Sequence, residues 1–247
     1  LTRTLPALLF GALLLAAWQI VAVAGLTPAV LLPSPGRVAE SLVRGAAPLA
    51  ANGAATTTTA LLGFALALVA GLTLAGIMAL SDLATRLLYP NLLLFQLLPK
   101  IALGPLFVVW LGTGLPSRLA FTAVVSLFPI AIGALTGLRS ADPNQLRLCR
   151  ALNATPWQVF TRIRLPTALP YIFAGAKVAA TLAFTGAVVA EFISSDAGLG
   201  HVVMNASSQS DTALVFAALA VLSVLGAALY AMVAWAEQGA MRRWGRA

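Results

Sequence analysis

Residues 141–170 read ADPNQLRLCRALNATPWQVFTRIRLPTALP, a polar, arginine-rich insert set among long uncharged apolar segments. Asp142 precedes Pro143 and lies three positions ahead of Gln145, the arrangement of an N-cap, a first helical proline and a third-position partner. The same grammar returns at Thr155, Pro156 and Gln158. The two starts are thirteen residues apart, leaving room for a first helix of about ten residues. Asn153 is expected to close it, because asparagine is the non-glycine residue that most readily takes the left-handed conformation. In the second helix Trp157, Phe160 and Ile163 form an apolar face at helical spacing, flanked by Arg162 and Arg164. Pro166 is expected to stop that helix, and Pro170 to open the next span. Such a pair can lie on lipid, with arginines at headgroups and Trp157 at the interface, or meet another protein. The double capping favours a defined shape.

The surroundings of the insert set the fold class. Sixty per cent of the 247 residues are hydrophobic and 9% are charged, against about 25% charged in soluble domains. Residues 4–36, 45–81, 119–138 and 212–236 contain no Asp, Glu, Lys or Arg, and each reaches the roughly 20 residues that cross a bilayer. Stretches 87–112 and 167–195 are long enough as well, though ionisable residues interrupt them. The expected architecture is a single all-α, polytopic membrane domain over residues 1–247, with spans at 5–26, 54–80, 87–111, 117–138, 168–194 and 212–236 and the insert at 140–166.

Alternating these spans puts Arg3, Arg86, Arg139, Arg147, Arg150, Arg162, Arg164, Arg242, Arg243 and Arg246 on one side. Only Arg37, Arg44 and Arg118 fall on the other. By the positive-inside rule the insert and both termini are expected in the cytoplasm. A signal peptide is the rival reading of the first segment, from Arg3 to Ala22-Val23-Ala24. Its apolar core, Leu5 to Leu26, exceeds the roughly 7–15 residues of a signal sequence. The chain begins at Leu1 without Met, so a few residues are expected to precede it.

Within the spans, Gly63, Ala67, Gly71, Ala75 and Ala79 recur every four residues, a stripe suited to close helix approach inside the chain or across a dimer seam. Pro90, Pro99, Gly104 and Pro105 predict a bent third span lining an interior, since exposed backbone survives there only under protein or water. Pro129 interrupts the fourth. Leu32-Pro33-Ser34-Pro35 reads as a rigid turn before an amphipathic piece, Gly36 to Val43. Lys100, Lys177 and Glu191 are ionisable groups within spans, each costing roughly 2.5–3.5 kcal/mol near a bilayer centre. Lys100 and Glu191 are the candidates for the translocation pathway, either lining it or pairing as a clamp. Lys177 reads as structural, snorkelling toward the interface. Asp196, Gly198 and Gly200 mark an outer turn, and Asp211 is expected to cap the last span.

The insert's spacing resembles the cytoplasmic signature of ATP-binding-cassette importer permeases: Glu-Ala-Ala, three residues, Gly, nine residues, Ile-x-Leu-Pro. Arg147-Leu148-Cys149, Asn153 and Ile163-Arg164-Leu165-Pro166 occupy those positions, with Arg147 in place of the acid and Asn153 in place of glycine. Leu32-Pro33-Ser34-Pro35, Pro99-Lys100-Ile101-Ala102-Leu103-Gly104-Pro105-Leu106, Leu165-Pro166-Thr167-Ala168-Leu169-Pro170, Ala190-Glu191-Phe192 and Ala197-Gly198-Leu199-Gly200 extend the likeness to permeases of the nitrate, sulfonate and taurine group, which includes importers of thiamine-precursor pyrimidines. The resemblance implies a type I importer permease of the bacterial inner membrane. It also implies a homodimer, two cytoplasmic ATPase subunits carrying ATP and Mg, and an external substrate-binding protein. It assigns Leu148, Cys149, Ala151, Asn153, Ala154, Trp157, Phe160, Ile163, Leu165 and Pro166 to the ATPase contact.

Other function classes find less support. No Gly-Lys dipeptide occurs, so a phosphate-cradling loop is absent and no cofactor is expected on this chain. His201 is the sole histidine, with no second ligand nearby, so no metal is expected. No paired-carboxylate or Ser-His-Asp constellation lies within the spans, which excludes a catalytic set of that kind. Basic residues are not interleaved with aromatics on a polar face, so nucleic acid is not the expected partner; membrane lipid is. Two rival classes remain: a secondary transporter relaying ions or protons through Lys100 and Glu191, and a membrane anchor for a cytoplasmic complex.

Overall fold

In lipid no water competes for backbone groups, so each apolar run satisfies its own N–H and C=O groups as a helix. The computed structural model describes residues 5–244 apart from 26, 29 and 195, and every regular element among them is helical. In chain order these are α1 (Leu5–Val23), α2 (Pro35–Arg44), α3 (Ala46–Leu80), α4 (Asp82–Leu97), a single 3₁₀ turn (Lys100–Leu103) and α5 (Gly104–Leu111). Then come α6 (Leu115–Arg139), α7 (Pro143–Ala151), α8 (Pro156–Val159), a π turn (Phe160–Arg164), α9 (Leu165–Ser194), α10 (Leu199–Ser208) and α11 (Thr212–Trp244).

Among the described residues four helices are long and apolar enough to cross a membrane: α3, α6, α11 and the continuous Pro156–Ser194 helix that contains α9. α4 and the helix from Lys100 to Leu111 meet at a 95° bend, the geometry of a broken span or of a re-entrant loop. The apolar part of α1, Leu9–Val23, is shorter than these, so four of the six expected spans are matched by length, and five where the bent pair counts as one. The second span starts at Ala46, not at 54. Asn52, Thr56 and Thr58 donate to carbonyls one turn back, at Pro48, Asn52 and Ala54, so polar residues extend the helix instead of ending it. α10 falls where only a turn was expected.

The bend in the third span follows from Pro99. Proline disfavours the helical conformation in the residue before it, and Leu98 is extended, at φ −64° and ψ 139°. The carbonyl of Gln96 then loses its helical partner, the Lys100 N–H, and the Lys100 side chain donates to it instead, at 3.4 Å.

The centre of the molecule is made of small side chains. α6 and α9 pack along most of their length, antiparallel, with α3 alongside α6. A Cβ at Gly175 of α9 would collide with the Pro129 carbonyl oxygen of α6, and one at Gly137 would lie 2.8 Å from the Ala168 Cα. Ala176, Ala179, Ala180, Ala183 and Ala187 continue the contact in the core of α9. The small-residue stripe of α3 is spent inside the chain: Gly71 faces Ile130 and Gly63 faces Thr122 of α6. That answers the choice left open by the sequence in favour of intramolecular packing.

The helix ends define two poles. At the pole bearing the insert, Arg139 at the end of α6 donates to the Met78 carbonyl and to Asp82, both at 3.2 Å, and to Thr85 at 2.8 Å, fastening the α3–α4 corner. At the other pole α2 lies under α11: Val38 and Leu49 pack with Leu199, Ala217 and Ala218. Ser34 caps α2, and the Trp18 indole N–H donates to the Pro33 carbonyl at 3.0 Å.

Candidate functional site

The insert folds as its capping residues dictate. The Asp142 side chain accepts from the Asn144 N–H at 2.8 Å and starts α7. Asn153 closes it in the left-handed region, at φ 52°. At Thr155 the capping box is complete: the Gln158 N–H donates to Thr155 Oγ1 at 3.3 Å, and the Thr155 N–H donates to Gln158 Oε1 at 2.8 Å. With its backbone groups satisfied locally, the insert presents apolar side chains outward. Trp157 is 72% exposed, Leu152 72% and Leu148 60%. Trp157 stacks on Phe160 with ring centroids 5.9 Å apart, which stiffens the aromatic face. Ala151 and Asn153 are exposed, while Cys149, Ala154, Phe160 and Ile163 are half-buried.

One expectation is overturned. Pro166 does not stop the second helix, which runs unbroken from Pro156 to Ser194, 39 residues. The π turn explains the difference. Leu165 donates to the Phe160 carbonyl five residues back, and the wider turn offsets the clash that an α-helix would force between the Pro166 ring and the Arg162 carbonyl. Pro170 is likewise inside α9. Leu165 and Pro166 therefore belong to the spanning helix, and the insert's second helix is rigidly continuous with the membrane core.

At the opposite pole, Glu191 of α9 is 2% exposed. Its Oε2 accepts from Thr56 Oγ1 at 3.0 Å and from the Gly200 N–H at 2.8 Å. Thr56 in turn accepts from the Leu199 N–H at 2.8 Å, and Asn52 Oδ1 accepts from the Gly198 N–H at 2.7 Å. Three N–H groups thus bind the start of α10 to α3 and α9, and the Thr56 hydroxyl joins α3 to α9, so the open donors of that helix end are satisfied by side chains of its neighbours. Gly198 has φ 111°, and a Cβ there would collide with the Glu191 carboxyl group. A Cβ at Gly200 would lie 2.8 Å from the Glu191 Cβ. Alanine-glycine-leucine-glycine at 197–200 is the backbone complement of that carboxylate.

Lys100 and Glu191 do not pair. Lys100 Nζ lies 5.6 Å from the centre of the Phe128 ring and donates to the Gln96 carbonyl, whereas Glu191 is enclosed by α3 and α10. The separation follows from the 95° bend, which gives Lys100 a local carbonyl to satisfy. Lys177 has a partner that went unread in the sequence: Glu237 of α11, at 2.8 Å, with both side chains about four-fifths buried. It is an interhelical tie instead of a snorkelling lysine. His201 Nε2 lies 2.7 Å from Asn205 Nδ2, one turn along α10, and Asp211 accepts from the Leu214 N–H at 3.1 Å as the cap of α11.

Residues 67–242 match the family of binding-protein-dependent transport system inner membrane components. The chain belongs to that family. It is similar to the formylaminopyrimidine transport permease protein ThiX of Halalkalibacterium halodurans, at 34% identity over 91% of this chain and 90% of the relative. It is similar also to the riboflavin transport system permease protein RibX of Chloroflexus aurantiacus, at 35% identity over 92% and 85%. The taurine transport system permease protein TauC of Escherichia coli is 31% identical over 87% and 80%. The fold is shared with a chain of an amino acid ABC transporter, with a TM-score of 0.63 at 16% identity, covering 82% of this chain and 97% of that one.

Seen as an importer permease of this family, the molecule separates its polar residues into two sets. The insert carries exposed apolar groups on satisfied backbone, and the Glu191 pole carries a buried carboxyl group bonded through Oε2 to two other helices, with Oε1 buried and unbonded among the described residues. Sequence reasoning missed Leu152, which is as exposed as Trp157, and missed Asn52 and Thr56. Asn52 and Thr56 stand one helical turn apart at the head of the four-threonine run 56–59, and that polar stretch at the start of a mostly apolar helix was the available signal.

Proposed function

We propose that this permease forms the translocation path of an ATP-driven importer and that residues 142–166, on the cytoplasmic side, transmit the work of separate ATPase subunits. The observation that carries this reading is mechanical. The apolar patch of Leu148, Leu152 and Trp157 stands on a helix pair whose second member is one continuous 39-residue helix with the fifth span. Such a helix is about 58 Å long, and about 30 Å of that crosses the hydrocarbon. A pull on its outer third is delivered to the α6–α9 core without an intervening hinge. Exposed tryptophan and leucine are the side chains that fill a partner's pocket.

The assembly is a homodimer of permeases with two ATPase subunits holding ATP and Mg and an external binding protein. Support for two copies comes from α4, which buries no residue within the chain and leaves Leu83, Leu87, Leu94 and Leu97 open. The substrate is a small metabolite, such as the pyrimidine precursor or taurine named in the relatives, or the sulfonate or nitrate that the sequence resemblance implies. A proton or ion relay through Lys100 and Glu191 is not favoured, because the two do not meet: Lys100 donates to the Gln96 carbonyl, and Glu191 accepts from Thr56 and Gly200.

The test is co-purification and uptake with the partner ATPase. Trp157→Ala with Leu152→Ala is expected to release the ATPase and to lower ATP-driven uptake at least about tenfold. Retained ATPase with unchanged uptake contradicts the reading. Sidedness is read on Cys149, the only cysteine, with a membrane-impermeant thiol reagent: labelling only from the cytoplasmic side agrees, and labelling from outside contradicts.

A further inference from the structure

A groove of about 410 Å³ opens on the membrane-facing surface between α3, α9 and α11. Leu68 and Leu72 of α3, Leu169 and Phe173 of α9, and Met232 and Ala236 of α11 line it, and all of its lining is apolar. Its size is within the roughly 300–1,000 Å³ of small-molecule sites. Met232 is 52% exposed, so the groove is open from the side. It lies in the half of the membrane toward the insert, since α9 enters it at Leu165 and α11 leaves it past Ala236.

Charge at the end of the groove selects the occupant. Arg243 follows Ala236 by seven residues, two turns along α11 on the same stripe. Arg162 is exposed in the π turn just before Leu165. Neither arginine takes part in an ion pair among the described residues. Glu237, the acidic group nearest that end of α11, is already neutralised by Lys177. An apolar slot that ends at two uncommitted guanidinium groups, with Trp244 beside them, matches one acyl chain below one phosphate. In a bilayer the chain alone gains little, because surrounding lipid tails are as apolar as leucine. Selectivity must come from the headgroup.

We propose that this groove is a binding site for one anionic phospholipid of the cytoplasmic leaflet, its acyl chain against α3, α9 and α11 and its phosphate between Arg162 and Arg243. The site deepens the proposed function and rests on its orientation, yet it is read without any ATPase. Failure of lipid binding and failure of coupling are therefore separate results.

Native mass spectrometry of the delipidated full-length permease, titrated with phosphatidylglycerol or phosphatidylcholine, tests it. Phosphatidylglycerol is expected to fill one site per chain about thirtyfold more tightly than phosphatidylcholine, as two arginines near a surface supply. Arg162→Gln with Arg243→Gln is expected to erase that preference, and Ala236→Trp, which fills the slot, to remove the bound lipid. Equal affinity for the two lipids overturns the proposal, as does a preference that survives both variants. A cross-link between cysteines placed at position 236 of two copies overturns it too, by showing that a second chain covers the groove.

Discussion

The insert and the Glu191 pole are both built from capped helix starts, yet they handle polar and apolar groups in opposite ways. At the Glu191 pole a carboxyl group of α9 is buried and accepts from two other helices, from Thr56 of α3 and from Gly200 of α10. At the insert every cap is local, within three residues, and what faces outward is Leu148, Leu152 and Trp157. Long-range polar bonds specify one arrangement and hold it. Local caps leave a surface free for another molecule. The difference separates a pole that fastens helices to one another from one that leaves apolar side chains open, and the proposed docking role of the insert rests on it.

The comparison breaks first, and most severely, at Glu191. Replacing it with Ala leaves the Gly200 N–H without its acceptor and Thr56 with one bond fewer. A buried donor left unpaired costs about 1–3 kcal/mol, and the emptied side-chain volume adds a cavity cost, so Glu191→Ala is expected to lower stability by about 3 kcal/mol, read by thermal unfolding of the detergent-purified chain. Gly198→Ala is expected to act alike, through both its φ of 111° and the collision with Glu191. An unchanged unfolding midpoint in either variant breaks the claim that this pole is a fastening.

A smaller loss is expected at the α6–α9 seam. Gly175→Ala drives a methyl group into the Pro129 carbonyl, and overpacking costs about 1–3 kcal/mol. Smaller again is the Lys177–Glu237 tie. Removing one partner leaves a largely buried charge, whereas Lys177→Met with Glu237→Leu removes both. The single variants are expected to lose about 1–2 kcal/mol and the double variant to recover most of it, by a double-mutant cycle. Additive losses in the double variant contradict an ion pair.

What the sequence made legible follows the same division. Caps at Asp142, Thr155 and Asp211, the left-handed Asn153 and the break at Pro99 are local decisions, set by residues within a few positions, and each is found as expected. Glu191 and Thr56 are 135 residues apart, and Lys177 and Glu237 are 60 apart. Nothing in either neighbourhood names the partner, so a clamp with Lys100 stood beside a pathway role as the reading of Glu191, and the Thr56 and Gly200 donors stayed unread. Pro166 misled for a different reason. A proline ends a regular α-helix, but the π turn before it supplies a geometry that accommodates the ring, and that turn has no short sequence signature. The stripe of α3 was visible, whereas the choice between self-packing and a dimer seam depended on α6 bringing Thr122 and Ile130 to it.

The smallest expected effect on the fold is also the sharpest test of function. Trp157 and Leu152 make no contact that holds the chain together beyond the Trp157–Phe160 stack, and exposed substitutions change stability by about 0.5 kcal/mol or less. The direct measurement is ATP-driven uptake and the unfolding midpoint on the same preparation of Trp157→Ala, Leu152→Ala permease. Uptake reduced at least about tenfold with the midpoint unmoved is the predicted result. Full uptake, or a midpoint that falls as far as that of Glu191→Ala, would contradict a docking role for the insert.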